Sequence, residues 1–536
     1  MNRIRGSLPD VLKHQAATRP DATFLDVVGG TSMTYGEVAG EMWRWSAALA
    51  RAGVEPGSRV MTMLPLRPPS VYVWLGVATA GAVEVPVNTD YRGAMLEHVV
   101  RDARPTLIVV DVSMADRFTS ILPQSDDPPT VVVIGDLTQS GGPIPASAVS
   151  AEEFLDGADP APGDRVPAGR DVCAVIYTSG TTGPSKGVLV PWAQLEIIGV
   201  ATYLDAGLTS DGAIYSAYPN FHVAGKMTFY AAAQVGSRVV MRERLSVTDF
   251  WGDVRAYGCT HTVVLSVIAK FLLERPPADD DADNPLQRVM MVPLLPEMHE
   301  FAKRFDLEVW TVFGSSELAA PFSSAGAPPN SLTCGKLRVG EQGVEVRLVD
   351  EHDDEVPVGE VGELIVRHSQ PWTINQGYLG RPELSAAAWR NGWFHTGDVF
   401  HQDEDGWFYF VDRKKDVIRR RGENISSFEV ESYVNAVPGV AESAAVAVPS
   451  AHGEDDLRVL VVRSQGQSLS AEELVAALQP VMPRFMLPRY IDFVEEFPKT
   501  DATMRTKKSQ LRELPLTTAT WDAEAARSRR RSITGQ

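Results

Sequence analysis

Cysteine is scarce: Cys173, Cys259 and Cys334 are the three among 536 residues. An odd number of widely spaced cysteines gives neither a disulfide framework nor the close pairs of a zinc site, which suits a reducing compartment. Long apolar runs are also missing. The longest uncharged apolar stretch, Val71 to Val83, falls short of the roughly 20 residues that cross a bilayer. The first ten residues hold two arginines with no apolar run behind them, so no secretory signal is read there and a cytoplasmic location is expected. Positive charge is in deficit, with 50 Lys+Arg against 69 Asp+Glu and a formal net charge of −19. That balance disfavours a broad grip on nucleic acid or anionic lipid but leaves room for a local basic site for a small anion. No internal repeat is visible.

At roughly 150 residues per domain the length suggests about three to four folding units, and 44% hydrophobic with 22% charged residues is an ordinary globular composition. Thr34 and Glu37 are spaced as a capping box, and Val38, Met42, Trp45 and Leu49 recur at helical spacing until Gly53, predicting an amphipathic helix. Branched runs at Val60–Leu64, Val83–Val87, Leu107–Val110 and Val131–Ile134 alternate with helix-length segments such as Ser70–Gly81. The prediction is α/β layers with largely parallel sheets. The Pro-, Gly-, Asp- and Ala-rich stretch 136–170 is expected to loop across the surface, with Val172–Tyr177 resuming as a buried strand. From Val344 short alternating strands predict a β-rich subdomain over about 344–411, with a hairpin arm at Trp407–Val411 after the Asp405-Gly406 turn. Asp279–Asp283 reads as a solvated loop, because like charges resist packing. The expected division is a large N-terminal domain over 1–413, a small α+β C-terminal domain over 414–515 and a flexible tail over 516–536.

The stretch Thr178-Ser-Gly-Thr-Thr-Gly-Pro-Ser-Lys-Gly187 follows a predicted strand. Its glycines let backbone approach a ligand closely, its hydroxyls and amides can donate to phosphate oxygens, and Lys186 adds positive charge. A Walker loop needs Gly-Lys-Ser/Thr followed by a helix, whereas Ser185 precedes Lys186 and Val188–Val190 with Pro191 reads as strand. A phosphate cradle of another kind is implied.

Here the chain resembles the adenylate-forming superfamily, in its acyl-CoA ligase branch, over almost its whole length. Tyr177-Thr-Ser-Gly-Thr-Thr-Gly183 is similar to the family phosphate loop, Phe313-Gly-Ser-Ser-Glu317 to its Tyr-Gly-x-Thr-Glu element, and Thr396-Gly-Asp398 to its Thr-Gly-Asp element. Asp412-Arg413 and Arg421-Gly-Glu-Asn-Ile425 are similar to the segment joining the two domains. The resemblance implies two half-reactions: a carboxylate attacks the α-phosphate of ATP to give acyl-adenylate and pyrophosphate, and the thiol of coenzyme A then displaces AMP. It implies Thr178, Glu317 and the residue at the C-terminal lysine position as catalytic. The nucleotide would be held by Ser179, Gly180, Thr181, Thr182, Gly183 and Lys186, by Val292 and Pro293, by Phe313, Gly314, Ser315 and Ser316, and by Asp398 and Arg413. Among these, Ser316 contacts the α-phosphate and Asp398 accepts the ribose hydroxyls. Glu317 would hold Mg²⁺, a hard cation suited to a carboxylate and phosphate oxygens. His222, Gly225 and Lys226 would face the acyl group, with Gly225 and Ala231–Ala233 leaving space for a bulky alicyclic or branched acid. Lys415 would be the hinge, and Arg421, Gly422 and Glu423 would meet coenzyme A.

Two departures stand out. Most members end with Pro-Lys-Thr-x-Thr-Gly-Lys, whose last lysine bridges carboxylate and α-phosphate during adenylation, whereas this chain reads Pro498-Lys-Thr-Asp-Ala-Thr-Met-Arg-Thr-Lys-Lys508. Counting forward puts Met504 at the lysine position, and counting back from Leu511-Arg512 puts Arg505 there. Arginine is a broad planar fork and lysine a compact ammonium, so the exchange is not conservative at a tight site. The protein is therefore expected either to favour thioesterification of a ready-made acyl-adenylate from a separate adenylating enzyme, or to use Arg505, Lys507 or Lys508 as a substitute. The second departure is Met291-Val-Pro-Leu294, where many members carry small residues, and it is expected to narrow the nucleotide site. Competing readings are an adenylation enzyme that loads a carrier protein and a non-catalytic acyl-adenylate-binding protein.

Overall fold

A computed structural model of the chain describes residues 6–122, 128–159, 161, 165–178, 185–324, 326–338, 343–413, 418–420, 423–425, 427–450, 455–482, 486–499 and 506–526. The architecture is α/β: two seven-stranded sheets, a β-rich sheet of eight strands and a small C-terminal sheet of four. The first large sheet pairs Arg59–Met63 in parallel with Val83–Pro86 and with Leu107–Asp111, and Leu107–Asp111 in turn with Thr130–Ile134. These are the branched runs expected as strands, buried on both faces as parallel strands require. The second large sheet carries parallel neighbours Ala213–Ser216, His261–Leu265, Arg288–Val292 and Glu308–Trp310.

The helix Tyr35–Arg51 begins on the expected reciprocal cap: Glu37 N donates to Thr34 Oγ1 and the Thr34 amide donates to Glu37 Oε2. Its apolar face, with Met42 and Trp45, packs on the helix Pro68–Thr79 so closely that a Cβ on Gly76 would meet Trp45 Cβ at 2.5 Å. Stretch 136–170 is not all loop. Ala148–Ser150 adds an edge strand beside Thr130–Ile134, and Ser150 caps the short helix Ala151–Leu155 by accepting from Glu153 N. Three residues of strand and five of helix are too short for periodicity to register. The eight-stranded sheet likewise takes in Val312–Phe313, Phe322–Ser323 and Thr333–Leu337 ahead of residue 344, two of them pairs of residues with no alternation to read. Among the described residues no helix is long and apolar enough to cross a membrane.

One charged pair lies at the bottom of the large domain. Glu84 on strand Val83–Pro86 is ion-paired and hydrogen-bonded to Lys226 on helix Val223–Val235, and both side chains are essentially inaccessible. Thr62 Oγ1 donates to Glu84 at 2.7 Å, and the Lys226 ammonium sits 3.8 Å from the centroid of the Trp74 ring. Burial pushes the Glu84 carboxyl up and the Lys226 amine down, and each shift is opposed by the partner's charge. The pair ties a strand of one large sheet to a helix packed on the other, at a cost in desolvation. Lys226→Met leaves an uncompensated buried carboxylate and is expected to lower stability by about 3–5 kcal/mol. The double variant Glu84→Gln/Lys226→Met should recover most of that loss in denaturant titration.

Candidate functional site

Strands Val172–Thr178 and Lys186–Pro191 form an antiparallel hairpin in which Thr178 is the register partner of Lys186. Ser179, Gly180, Thr181, Thr182 and Gly183 lie outside the described residues, as do Lys415, Arg421, Gly422 and Arg505. A strand, not a helix, follows Lys186, so the hairpin differs from a Walker loop in the expected way. Thr178 Oγ1 is buried with no hydrogen-bond partner among the described residues. A buried hydroxyl with no partner among the described residues, next in sequence to the Gly-rich stretch, can be satisfied by an incoming oxyanion.

Lys186 points its ammonium at Glu317 Oε1, 3.6 Å away, and over the Tyr378 ring at 3.8 Å from the centroid. Burial lowers its pKa while the Glu317 carboxylate opposes that shift, and the Arg413 guanidinium lowers it further. The same Arg413 charge is felt by Tyr378, whose hydroxyl is hydrogen-bonded to Glu317 and held up by burial. Lys186, Glu317, Tyr378 and Arg413 therefore share one corner. Asp398, on strand Trp393–Gln402, completes it. It is the cross-strand partner of Arg413, its Oδ1 is 2.8 Å from Arg413 Nε, and it is 4% exposed.

The turn from Phe313 to Glu317 is held at every step. Phe313 packs edge-on against Phe400, a Cβ on Gly314 would meet Ala319 O at 2.7 Å, and Ser315 Oγ accepts from the amides of Glu317 and Leu318. Gln194 Nε2 donates to the carbonyls of Ser316 and Leu318, both at 3.0 Å, and Asn375 Nδ2 donates to Glu317 O at 2.7 Å. Gln194, Asn375 and Tyr378 escaped the sequence reading. Gln194 is one of two polar residues, with Glu196, in the otherwise apolar helix Trp192–Gly199, and the other two belong to no recognised motif; the turn glycine Gly377 between them was the available signal.

Val292 and Pro293 end the strand Arg288–Val292, joined by a cis peptide. The bulky residues beside them do not narrow the site as expected. Met291 and Leu294 are buried in a separate core cluster with Phe250, Leu295 and Met298, because strand alternation turns Met291 to the face opposite Met290 and Val292.

His222 stands at the residue before helix Val223–Val235 without a side-chain capping bond and, with Asn88, Tyr91, Tyr177 and Phe221, lines a cleft with room for about one water molecule (≈ 10 Å³). The small residues near it do not open a space. A Cβ on Gly225 would stand 2.3 Å from Pro219 O, and Ala231–Ala233 are buried in the core, where Ala231 meets Gly199 of the neighbouring helix. They serve close packing. Lys226, expected beside the acyl group, is instead turned into the core toward Glu84. Glu423 contributes backbone to the two-stranded sheet with Ile418–Arg420, as the partner of Arg420.

Oxygen and charge chemistry dominates the corner. The three thiols are each pushed up to about 12 by burial, which removes them as nucleophiles near neutral pH. Among the described residues no group of three or more His, Cys, Asp or Glu could hold a metal ion alone. Glu317 is a hard oxygen donor beside an ammonium, a set that fits a small divalent cation shared with phosphate oxygens.

Residues 12–379 match the family profile described as AMP-binding enzyme, and residues 429–503 match AMP-binding enzyme C-terminal domain. The crotonobetaine/carnitine–CoA ligase of Salmonella enteritidis is 28% identical over 483 residues, covering 89% of this chain and 92% of its own. ATP-bound MatB from Rhodopseudomonas palustris superposes with a TM-score of 0.81 at 24% identity, over 94% of this chain and 98% of its own. An anthranilate CoA ligase in complex with anthranoyl-AMP gives 0.81 at 22% identity, over 94% and 96%. With both profiles falling in order over this fold and this corner, the chain belongs to the AMP-binding enzyme family.

Proposed function

We propose that the protein forms acyl-CoA thioesters from an acyl-adenylate, and that it is specialised for this second half-reaction with weak adenylation of its own. The observation that carries the reading is the shared corner of Lys186, Glu317, Asp398 and Arg413, which offers two cations and two carboxylates to a nucleotide. Relatives named as CoA ligases for crotonobetaine, carnitine and anthranilate support a carboxylic acid as the acyl source.

In this reading Thr178 and Lys186 bind phosphate oxygens, Asp398 accepts from the ribose hydroxyls, and Arg413 orients Asp398. Glu317 is the residue that would hold Mg²⁺, whose charge would favour the polyphosphate of ATP. In thioesterification the sulfur of coenzyme A forms a bond to the acyl carbonyl carbon, the carbon–oxygen bond to AMP breaks, and the thiol proton leaves to solvent. AMP departs with its negative charge on phosphate, where Lys186 can stabilise it.

Support for weak adenylation comes from the segment around 498–508. Neither register supplies lysine. Lys508, one candidate substitute, is committed elsewhere: its Nζ is 2.7 Å from Glu431 Oε1 and donates to Ser427 Oγ. Lys499 is paired with Glu442 and donates to Thr506 Oγ1 at 3.1 Å. Counting back from Leu511-Arg512, the cation at the family position is Arg505, whose planar fork fits poorly between two single oxygens, and Lys507 stands two residues beyond it. A carrier-protein thiol in place of coenzyme A is the second reading, and a phosphopantetheinyl protein added as competing acceptor discriminates it.

Purified protein with coenzyme A should convert synthetic acyl-adenylates to acyl-CoA much faster than the matching free acids with MgATP. Equal rates from both donors would establish a complete ligase and sink the specialised reading. Arg505→Lys should raise the MgATP-dependent rate by up to about 10²–10³, the usual scale for a placed charge at a reacting centre, with the adenylate-dependent rate unchanged. An unaltered MgATP-dependent rate would count against Arg505 as the cause.

A further inference from the structure

Glu363 carries a buried carboxylate that no step above uses. It lies on strand Gly362–His368, is 6% exposed, and pairs across the sheet with Val399, the residue after Asp398. Its Oε1 accepts from Gly397 N at 3.2 Å. Its Oε2 is 3.5 Å from His395 Nδ1 and 3.8 Å from the Arg390 guanidinium. A second carboxylate closes the network: Asp353 takes Arg390 in two hydrogen bonds of 2.7 and 3.1 Å, accepts from Asn391 Nδ2 at 2.6 Å, and lies 3.8 Å from His395 Nε2. Arg390 and His395 thus stand between Glu363 and Asp353, and the Arg390 guanidinium, hydrogen-bonded to Asp353, also lies near the Glu363 carboxylate.

The amide that Glu363 holds belongs to Gly397, inside strand Trp393–Gln402 at the irregularity where its register with Gly362–His368 shifts. Gly397 has φ +69°, a conformation open to glycine, and so is the least constrained link in that bulge. On one side Thr396 Oγ1 donates to Leu364 O at 2.8 Å and accepts from Asp398 N at 2.9 Å. On the other side Arg413 takes the Asp398 carboxylate at 2.8 Å. Glu363 fixes the peptide between them, which neither contact controls.

We propose that Glu363 is a positioning residue for Asp398: by holding the Gly397 amide it sets the direction in which the Asp398 carboxylate meets the ribose hydroxyls of the nucleotide. The proposal rests on the ribose role given to Asp398 above. A brace for the sheet alone would change stability without changing how ribose hydroxyls are read.

The test measures binding of AMP and of 2′-deoxy-AMP to the full-length protein by calorimetry, for wild type, Asp398→Ala, Glu363→Met and Glu363→Gln. Met fills the volume without an acceptor, whereas Gln keeps an oxygen for the Gly397 amide. Glu363→Met should weaken AMP about tenfold, the scale of a misaligned hydrogen bond to a charged group. It should weaken 2′-deoxy-AMP less, so that the gap between the two nucleotides narrows, and Glu363→Gln should restore both. If Asp398→Ala weakens AMP but Glu363→Met binds both nucleotides as wild type does, the positioning role is overturned while the ribose role stands. If Asp398→Ala leaves AMP binding unchanged, the ribose role fails and takes this proposal with it. Should Glu363→Met not fold, amide hydrogen exchange in the wild type decides: a Gly397 amide protected like its strand neighbours supports the bond, and loop-like exchange overturns it.

Discussion

The antiparallel hairpin between Val172–Thr178 and Lys186–Pro191 is where the layers of the large domain meet, and the other parts of the site are placed by what docks on it. The segment 376–379 of the β-rich part runs along its second strand through backbone bonds: Leu189 N to Gly377 O, Gln376 N to Leu189 O and Leu379 N to Gly187 O, all of 2.8–3.0 Å. That docking delivers Tyr378 to the Lys186 ammonium and Asn375 to the Glu317 carbonyl. Backbone pairing allows no sliding without exchanging every bond, so three separate stretches of sequence arrive in one register. The cost is a half-buried lysine whose amine is lowered by burial, with the Glu317 carboxylate 3.6 Å away opposing that shift. An ammonium has three donors, so an incoming anion can share it with Glu317.

Residues whose chemistry is carried by a run of neighbours were legible in the sequence. Thr178 to Lys186, Phe313 to Glu317 and Thr396 to Asp398 each stand out in the sequence as short glycine-containing runs of polar residues, a composition that lets backbone approach a ligand closely. The parallel strands were legible for a related reason, since burial on both faces leaves continuous branched runs. What was not legible is held by single side chains reaching across the fold. Gln194, Asn375, Tyr378 and Glu363 each act on a backbone group or charge far away in the chain, and nothing adjacent in sequence encodes the partner.

The small residues after His222 show how composition can mislead. Glycine and alanine beside a candidate pocket are compatible with open space and with tight packing, and one strand of sequence does not separate the two. Here Pro219 O occupies the position a Gly225 side chain would need, and the alanines press one helix onto the next. Lys226 follows the same logic. A charged residue one turn beyond His222 invites a ligand role, but its counter-charge Glu84 lies 142 residues away on strand Val83–Pro86. A cleft that holds about one water molecule is bounded by Pro86–Asn88, just past Glu84, and by Phe221–His222, just before Lys226. Any acyl group entering there has to displace walls that this ion pair ties together.

The C-terminal segment combines both kinds of information. Lys508 reaches Glu431 and Ser427 at the start of helix Ser427–Asn435, and Asp412 accepts from Ser427 N at 2.8 Å. Burial raises the carboxyls of both Asp412 and Glu431, and the Lys508 ammonium opposes each shift. Lys508 is thus the cation that neutralises two buried acids at the junction beside Arg413. Moving it to a reaction centre would leave both acids without a counter-charge, a loss larger than a single new contact returns. On that ground Lys508 is committed to this junction and is not free to serve a reaction centre elsewhere.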